Sequence, residues 1–367
     1  MLKYLSQTNK KSLRGTALLR LDFNTEDDWR MVAALPTIRF LLKTSERIVI
    51  LSHRGRPKGY DKTLSLRSDA TKLAKLLRKK VEFLPDFDFH EMKGKIDAAR
   101  RGSIFVLENL RFLSGEEKND AAFAKKLASL GDFYVNDAFA VSHRANASVV
   151  AITKYLPSYA GLEMEKEIKS LSIALKSKQD NLIVVLGGGK AGDKLGLLKY
   201  FKNKAEAFLL GGAPANTMLS LQGFNIGRSL ADRDKNDLHK LKNILKYKNL
   251  CLPTDFVVHG GAILDIGTRA ATDFSDKLKK ARTIIWNGPM GFIEKKPYER
   301  GTLAVARAIA NNKKAFSLVG GGETVMFLKK HSLDKKISFI STGGGAMLDF
   351  LAGEKLPGIV ALENSKK

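Results

Sequence analysis

The chain is expected to fold as an α/β protein with two doubly wound, Rossmann-like parallel sheets in separate domains, joined by a hinge helix. Three observations predict this. Short, largely apolar runs alternate with longer amphipathic stretches along the whole chain; the runs fall into two sets; and a charged segment of helical spacing, without glycine or proline, separates the sets. Runs of four or five apolar residues suit strands buried on both faces, as in a parallel sheet, and the amphipathic stretches supply the crossovers.

The first set comprises Ala17–Leu21, Ile48–Leu51, Ile104–Leu107 and Phe133–Val135. The second comprises Leu182–Leu186, Ala207–Leu210, Thr283–Trp286, Phe316–Val319 and Ile337–Ile340. Between them, Ser68–Arg78, Ala121–Leu130 and Gly301–Ala310 carry helical periodicity. The expected domains are 1–162 and 179–350, with the linking helix at 163–178. A length of 367 residues suits two cores.

Composition narrows the function. With a single cysteine, Cys251, no disulfide can form within the chain, which fits a reducing cytoplasm. No apolar stretch approaches the roughly 20 residues of a membrane span, and the first residues hold no run suited to a signal peptide. The net charge of +25 arises from lysine pairs spread over the chain, Lys10-Lys11 and Lys335-Lys336 among them, rather than from one basic tract. A solvated lysine-rich surface is expected, with no dedicated nucleic-acid site and no membrane partner.

In open α/β sheets, ligands bind beyond the carboxyl ends of the strands. In the first half those ends carry Asp22-Phe23-Asn24, Ser52-His53-Arg54-Gly55-Arg56, Glu108-Asn109-Leu110-Arg111, and Asn136-Asp137 leading to His143-Arg144. Converging arginines would form a cationic pocket for carboxylate and phosphate. In the second half the ends carry glycine: Gly187-Gly188-Gly189-Lys190, Gly211-Gly212, Asn287-Gly288-Pro289, Gly320-Gly321-Gly322-Glu323-Thr324 and Gly343-Gly344-Gly345. Such runs let main-chain N–H groups approach an anion at a helix amino end. Gly187, Gly189 and Gly192 have dinucleotide-binding spacing, but no acidic residue follows Leu210 to hold a ribose, which argues against a dehydrogenase. There is no Gly-Lys-Ser/Thr loop, no His-Arg-Asp loop and no zinc-ligand spacing.

Several of these segments are long and unusual, and together they resemble phosphoglycerate kinases. The resemblance rests on Asp22-Phe23-Asn24, Ala33-Ala34-Leu35-Pro36-Thr37-Ile38, Ser52 to Gly59, Leu107 to Phe112, Val135 to Phe139 with His143-Arg144-Ala145, Trp286 to Gly291, and Ser341 to Ala346, in order from about residue 17 to Leu362. It implies reversible transfer of a phosphoryl group between ATP and the carboxylate of 3-phosphoglycerate, giving 1,3-bisphosphoglycerate and ADP in glycolysis, by a magnesium-dependent monomer. It also implies that residues 351–367 fold back onto the first domain.

By motif, the resemblance assigns the phosphoglycerate to Asp22, Asn24, Arg30, His53, Arg56, Arg111 and Arg144. The nucleotide falls to Gly188, Lys190, Lys194, Gly211, Gly212, Asn287, Pro289, Glu294, Gly321, Gly322, Glu323 and Thr324, with Glu323 as the metal ligand. Arg30, Lys190, Gly344 and Gly345 would serve the moving phosphoryl. Those residue types suit the chemistry: the attacking carboxylate is already ionised, so the reaction needs charge stabilisation and alignment rather than a base. The acyl phosphate hydrolyses readily, so hinge-bending closure that excludes water is expected.

The chain departs from the family pattern in places. The 25–29 segment is short, Asn146 stands where a second histidine is common, and Ala213 to Asn216, Ile263 and Thr268 change the nucleotide side. Glu323 stands where the family has aspartate. An alternative reading is a catalytically weakened relative that binds nucleic acid through its basic charge.

Overall fold

The computed structural model describes residues 2–177 and 181–365 and forms two compact units, 1–168 with 355–367, and 169–354. The division falls inside the expected hinge helix, and residues 351–354 group with the second unit rather than with the tail. Residues 178–180 and 366–367, parts of the expected hinge and tail, lie outside the described residues.

The first unit is built on strands β1 (Thr16–Arg20), β2 (Arg47–Leu51), β3 (Glu82–Leu84), β4 (Ser103–Leu107), β5 (Phe133–Asn136) and β6 (Ser158–Ala160), in the order β3-β4-β2-β1-β5-β6. Every pairing is parallel. Helices α1 (Trp29–Thr44), α2 (Arg67–Leu77), α3 (Phe89–Ala98), α4 (Ser114–Glu117) and α5 (Ala121–Ala128) make the crossovers. Helix α6 (Leu162–Lys176) follows.

The second unit holds β7 (Leu182–Leu186), β8 (Ala207–Leu210), β9 (Leu250–Cys251), β10 (Phe256–His259), β11 (Ala262–Ile266), β12 (Thr283–Asn287), β13 (Phe316–Gly320) and β14 (Phe339–Ile340). Its parallel sheet runs β14-β13-β12-β7-β8-β9, and β10 and β11 form a separate antiparallel hairpin. Its helices are α7 (Leu195–Tyr200), α8 (Gly212–Leu221), α9 (Lys235–Ile244), α10 (Thr268–Lys280), α11 (Arg300–Asn311), α12 (Gly322–Lys330) and α13 (Gly345–Leu351). Helix α14 (Pro357–Glu363) belongs to the first unit, where Gly358 N–H donates to the Ser142 carbonyl at 2.8 Å.

The predicted runs form the central strands because both faces are covered, except Ile337–Ile340, of which only Phe339–Ile340 is strand, as the edge strand β14. All five residues of β7, Leu182 to Leu186, are at most 1% exposed. The short edge strands β3, β6 and β9, and the β10–β11 hairpin, were not expected. They are only two to five residues long, or half-exposed, so no apolar run marks them. Strand order reverses between β1 and β5 in the first sheet and between β7 and β12 in the second. These switch points are where open α/β sheets leave a crevice for ligands.

Candidate active site

In the first unit, cations gather around one buried histidine. His53 follows β2 and is 1% exposed. Its Nδ1 lies 3.1 Å from Arg20 Nη2 and 3.8 Å from Asp22 Oδ1. An arginine nitrogen can only donate, so Nδ1 accepts and the proton of a neutral ring sits on Nε2. Burial, and then the charges of Arg20, Arg111, Arg144 and Arg30, hold the His53 pKa well below its usual value, so the ring is neutral at neutral pH.

Arg20 closes β1 and is fixed from every side. Its Nε donates to Ser148 Oγ at 2.8 Å, its Nη1 donates to the Leu21 carbonyl, and Nη2 lies 3.9 Å from Glu116. Glu116 also accepts from Ser148 N–H at 2.9 Å and Ser148 Oγ at 2.6 Å. Asp22 accepts from Arg30 Nη1 at 2.6 Å and from Asn24 N–H at 2.9 Å. Asn24 Oδ1 accepts from Gly55 N–H at 2.8 Å, and the Gly55 carbonyl accepts from Arg111 Nη1 at 2.5 Å. Three strand ends are thus stitched into one rim.

Arg111 is 5% exposed, and burial and then the charge of Arg144 press its pKa down. Arg144 is half-buried and donates through Nε to His143 Nε2 at 3.2 Å; Arg56 is exposed. The buried Nε of Arg30 has no partner among the described residues. Cations this close together, one of them with an unspent buried donor, are chemistry that suits an anion.

In the second unit, the switch point between β7 and β12 is closed by main chain. Gly187 N–H donates to the Asn287 carbonyl at 3.0 Å and Gly188 N–H to the Pro289 carbonyl at 2.8 Å. Gly211 N–H donates to Leu186 at 2.9 Å, Gly212 N–H to Met290 at 2.9 Å, and Gly288 N–H to Thr324 Oγ1 at 3.0 Å. This corrects the expectation that every glycine run offers its amides to an anion. These five are already engaged, and their glycines serve close backbone approach: a Cβ on Gly187 would run into the Pro289 carbonyl oxygen.

The other glycines differ. Gly321 and Gly344 hold φ of +95° and +52° just before α12 and α13, and neither N–H has a main-chain acceptor among the described residues. The first N–H groups of α12, those of Gly322, Glu323 and Thr324, have no intrahelical acceptor by geometry. Thr324 is buried, whereas Glu323 and Gly345 are exposed. Lys190 is exposed. Lys194 is 8% exposed, and burial lowers its pKa against the opposing charges of Asp193 and Glu323.

Beside this turn lies a cavity of about 420 Å³. Its apolar wall includes Ala213, Ile263, Leu264, Pro289, Met290 and Phe292, and its polar groups include Asn216, Glu294 and Glu323. The lining suits a mostly apolar ring with a charged tail. Asp265, at the floor, accepts from Gly301 N–H at 2.7 Å and Ile266 N–H at 2.9 Å, and burial pushes its pKa up to about 7.

A family model described as phosphoglycerate kinase matches residues 12–354. The chain belongs to the phosphoglycerate kinase family. It is 40% identical to the phosphoglycerate kinase of Dictyoglomus turgidum over 99% of both chains, and 42% identical to that of Thermosipho africanus over 95% of both. The solved phosphoglycerate kinase structure from Pyrococcus horikoshii is similar at a TM-score of 0.88 with 34% identity, covering 99% of this chain and 98% of that one. The structure from Coxiella burnetii gives 0.83 with 33% identity over all of both chains. As a member of this family, the chain is a phosphotransferase that acts on 3-phosphoglycerate with ATP or ADP.

The sequence reading missed Arg20, hidden inside an apolar run, although a charge within a buried strand is itself a signal. It missed Leu264, Met290 and Phe292, whose role depends on the β10–β11 hairpin and the loop after β12. The altered segment Ala213 to Asn216 was expected to change the nucleotide pocket; Ala213, Ala215 and Asn216 do line the cavity, and Asn216 Nδ2 donates to the Leu230 carbonyl at 3.0 Å. No helix among the described residues is long and apolar enough to cross a membrane.

Proposed function

We propose that Asp22, Asn24, Arg30, His53, Arg56, Arg111 and Arg144 hold 3-phosphoglycerate, and that the cavity of the second unit holds ATP or ADP. The observation that carries this reading is the crowd of mutually repelling arginines around a neutral histidine in the first unit. A phosphate and a carboxylate relieve that repulsion, and bidentate arginine contacts fix their orientation. Asp22 aims Arg30, and Asn24 with Gly55 aims Arg111.

The substrate carboxylate has a pKa near ~3.5, so it attacks as an anion and no side chain needs to take its proton. His53, neutral with its proton on Nε2, donates a hydrogen bond without adding charge. The moving phosphoryl spreads negative charge over its oxygens. Arg30, Lys190 and the N–H groups of Gly344 and Gly345 are assigned to that charge. Arg30 is the strongest candidate, because its Nε is unspent.

On the nucleotide side, the apolar wall takes the base, Glu294 the ribose, and the turn from Gly321 to Thr324 the phosphates, with Lys194 beside them. Gly188, Gly211, Gly212, Asn287 and Pro289 shape this floor through their main-chain bonds. Magnesium fits the donors present: one exposed carboxylate, Glu323, stands by an anion-binding turn, and magnesium characteristically keeps several waters and uses one or two carboxylates plus substrate phosphates. Among the described residues no cluster of three or more His, Cys, Asp or Glu side chains forms a cage. The metal would neutralise charge on the nucleotide phosphates. We assign the chain to the cytoplasm as a monomer.

A coupled assay in the ATP-forming direction tests this reading. Magnesium-dependent ATP formation from 1,3-bisphosphoglycerate and ADP is expected. Failure of the purified chain to form ATP would overturn it.

A further inference from the structure

The first unit carries a second cationic concavity, at the edge of its sheet opposite His53. Arg14 precedes β1, Glu46 precedes β2 and Arg101 precedes β4, so these residues sit at the amino ends of strands whose carboxyl ends carry Asp22, His53 and Arg111. Together with Lys10, Lys11, Lys43 and Thr44 they line a cleft of about 380 Å³. We propose that this cleft is an anion site for a compact chain of phosphates, separate from the phosphoglycerate site.

The charge balance favours this. Five cations and one carboxylate line the cleft. That carboxylate, Glu46, is turned to Arg47, 3.2 Å from its Nη1. None of the five cations has an ion pair within 4.0 Å among the described residues.

The main chain that carries these five exposed side chains is held in place. Glu46 N–H donates to the Gly15 carbonyl at 2.8 Å, and Gly102 N–H donates to the Glu46 carbonyl at 2.6 Å. These bonds tie together the three segments that carry Arg14, Lys43 and Arg101. Arg47 Nε donates to the Ala99 carbonyl at 2.7 Å, and Asn9 Oδ1 accepts from Lys11 N–H at 3.0 Å. Leu13 is fully buried and anchors the turn of Lys10 and Lys11. A concave site lined by one sign of charge concentrates counter-ions.

The occupant's chemistry follows from size and lining. A cleft of this volume admits a few linked phosphates. No aromatic residue lines it, so it offers no surface for stacking a base, the usual companion of single-stranded nucleic-acid binding. The lysines and arginines address phosphate oxygens alone. Inorganic triphosphate is the simplest such probe.

The test is calorimetry on the full chain in magnesium-free buffer containing excess 3-phosphoglycerate and ADP. Wild type is compared with Arg14→Ala/Arg101→Ala. We expect wild type to take up one triphosphate, the variant to bind it roughly tenfold or more weakly, and both to keep the same turnover and KM. Orthophosphate should bind wild type more weakly than triphosphate does. Equal triphosphate affinity in wild type and variant, or no uptake by either, overturns the site. A single-stranded oligonucleotide binding tighter than triphosphate through the same two arginines overturns its assignment to a compact phosphate chain.

Discussion

The anion chemistry we assign to the two units lies at the carboxyl ends of the same kind of sheet but is made from different material. In the first, the donors are long side chains, and their aim is set by side-chain bonds: Asp22 to Arg30, Asn24 to Gly55, Arg20 to Ser148. In the second, the strand ends meet through main chain, and the donors left over are amides at the starts of α12 and α13. Side-chain donors match a small ligand with two different anionic ends. Main-chain donors suit a phosphate chain, which needs many weak contacts close to the backbone. The two sites should therefore break differently.

The largest effect is expected from Arg30→Ala. It removes the cation that we assign to the moving phosphoryl and lies outside the nucleotide unit. Turnover should fall roughly 10²-fold or more, with nucleotide affinity unchanged, as loss of a transition-state contact does. Steady-state kinetics in both substrates checks this. Near-normal turnover would remove Arg30 from the mechanism.

Gly187→Ala tests the other material. Here there is no charge to lose, yet the new methyl overlaps the Pro289 carbonyl and the Met290 side chain. A destabilisation of about 1–3 kcal/mol is expected, as for overpacking, with weakened nucleotide binding and intact 3-phosphoglycerate binding. Thermal unfolding with separate titrations of the two ligands measures it. A variant as stable as wild type would show that the close approach of the two strand ends is relaxed at little cost.

How much of this contrast was legible in the sequence differs between the units. Part of the arginine set could be read directly, since Arg56, Arg111 and Arg144 follow successive strand ends; Arg30, inside α1, came only with the family resemblance, and Arg20 was missed. The glycines could be located but not interpreted. Gly187 and Gly321 look alike in sequence, yet one donates its amide across the switch point and the other has no main-chain acceptor among the described residues. That depends on which neighbouring strand lies within reach, which periodicity does not reveal. The hairpin of β10 and β11 escaped for a related reason: Phe256 to His259 is half-exposed to exposed throughout, so burial imposes no alternation on it.

A smaller effect separates His53 from two buried carboxylates of the same unit. Its folded pKa lies below the unfolded value, so the unfolded chain binds a proton that the native one refuses. That contribution is intact above the unfolded pKa and is lost as pH falls below about 6.5. Asp137 and Glu163 run the opposite way. Burial raises them to about 6 and about 8, so each loses stabilisation as pH rises. The difference between wild type and His53→Gln isolates the histidine. Between pH 7.5 and 5.5, wild type should lose about 1 kcal/mol more than the variant. Parallel curves from denaturant unfolding would mean that the ring becomes protonated in place.

The smallest effect expected is also the most discriminating for the nucleotide side. Magnesium demands short bonds of about 2.0–2.1 Å and near-octahedral geometry. A glutamate carries its carboxylate one methylene beyond where an aspartate would hold it. In an unchanged turn, Glu323 would overshoot a metal bound directly. Here the side chain is exposed at the start of α12, lines the cavity assigned to the nucleotide and lies close enough to Lys194 to offset part of the lowering that burial imposes on its pKa. The longer side chain therefore has room to bend back or to reach the ion through a water, and Lys194 can steady it. On that account the chain is active and magnesium-dependent as it stands. Glu323→Asp should change its rate and magnesium requirement little, because shortening the side chain withdraws the carboxylate from a surrounding built for the longer one. Glu323→Ala should raise the magnesium and ATP concentrations needed for half-maximal rate and leave 3-phosphoglycerate binding unchanged, since that ligand is assigned to the first unit. Titrating magnesium and ATP for all three forms, with 3-phosphoglycerate binding measured separately, distinguishes the cases. An alanine variant with the wild-type rate and magnesium dependence would show that Glu323 is no part of the metal site. A marked gain in Glu323→Asp would show that the turn is still shaped for the shorter acid.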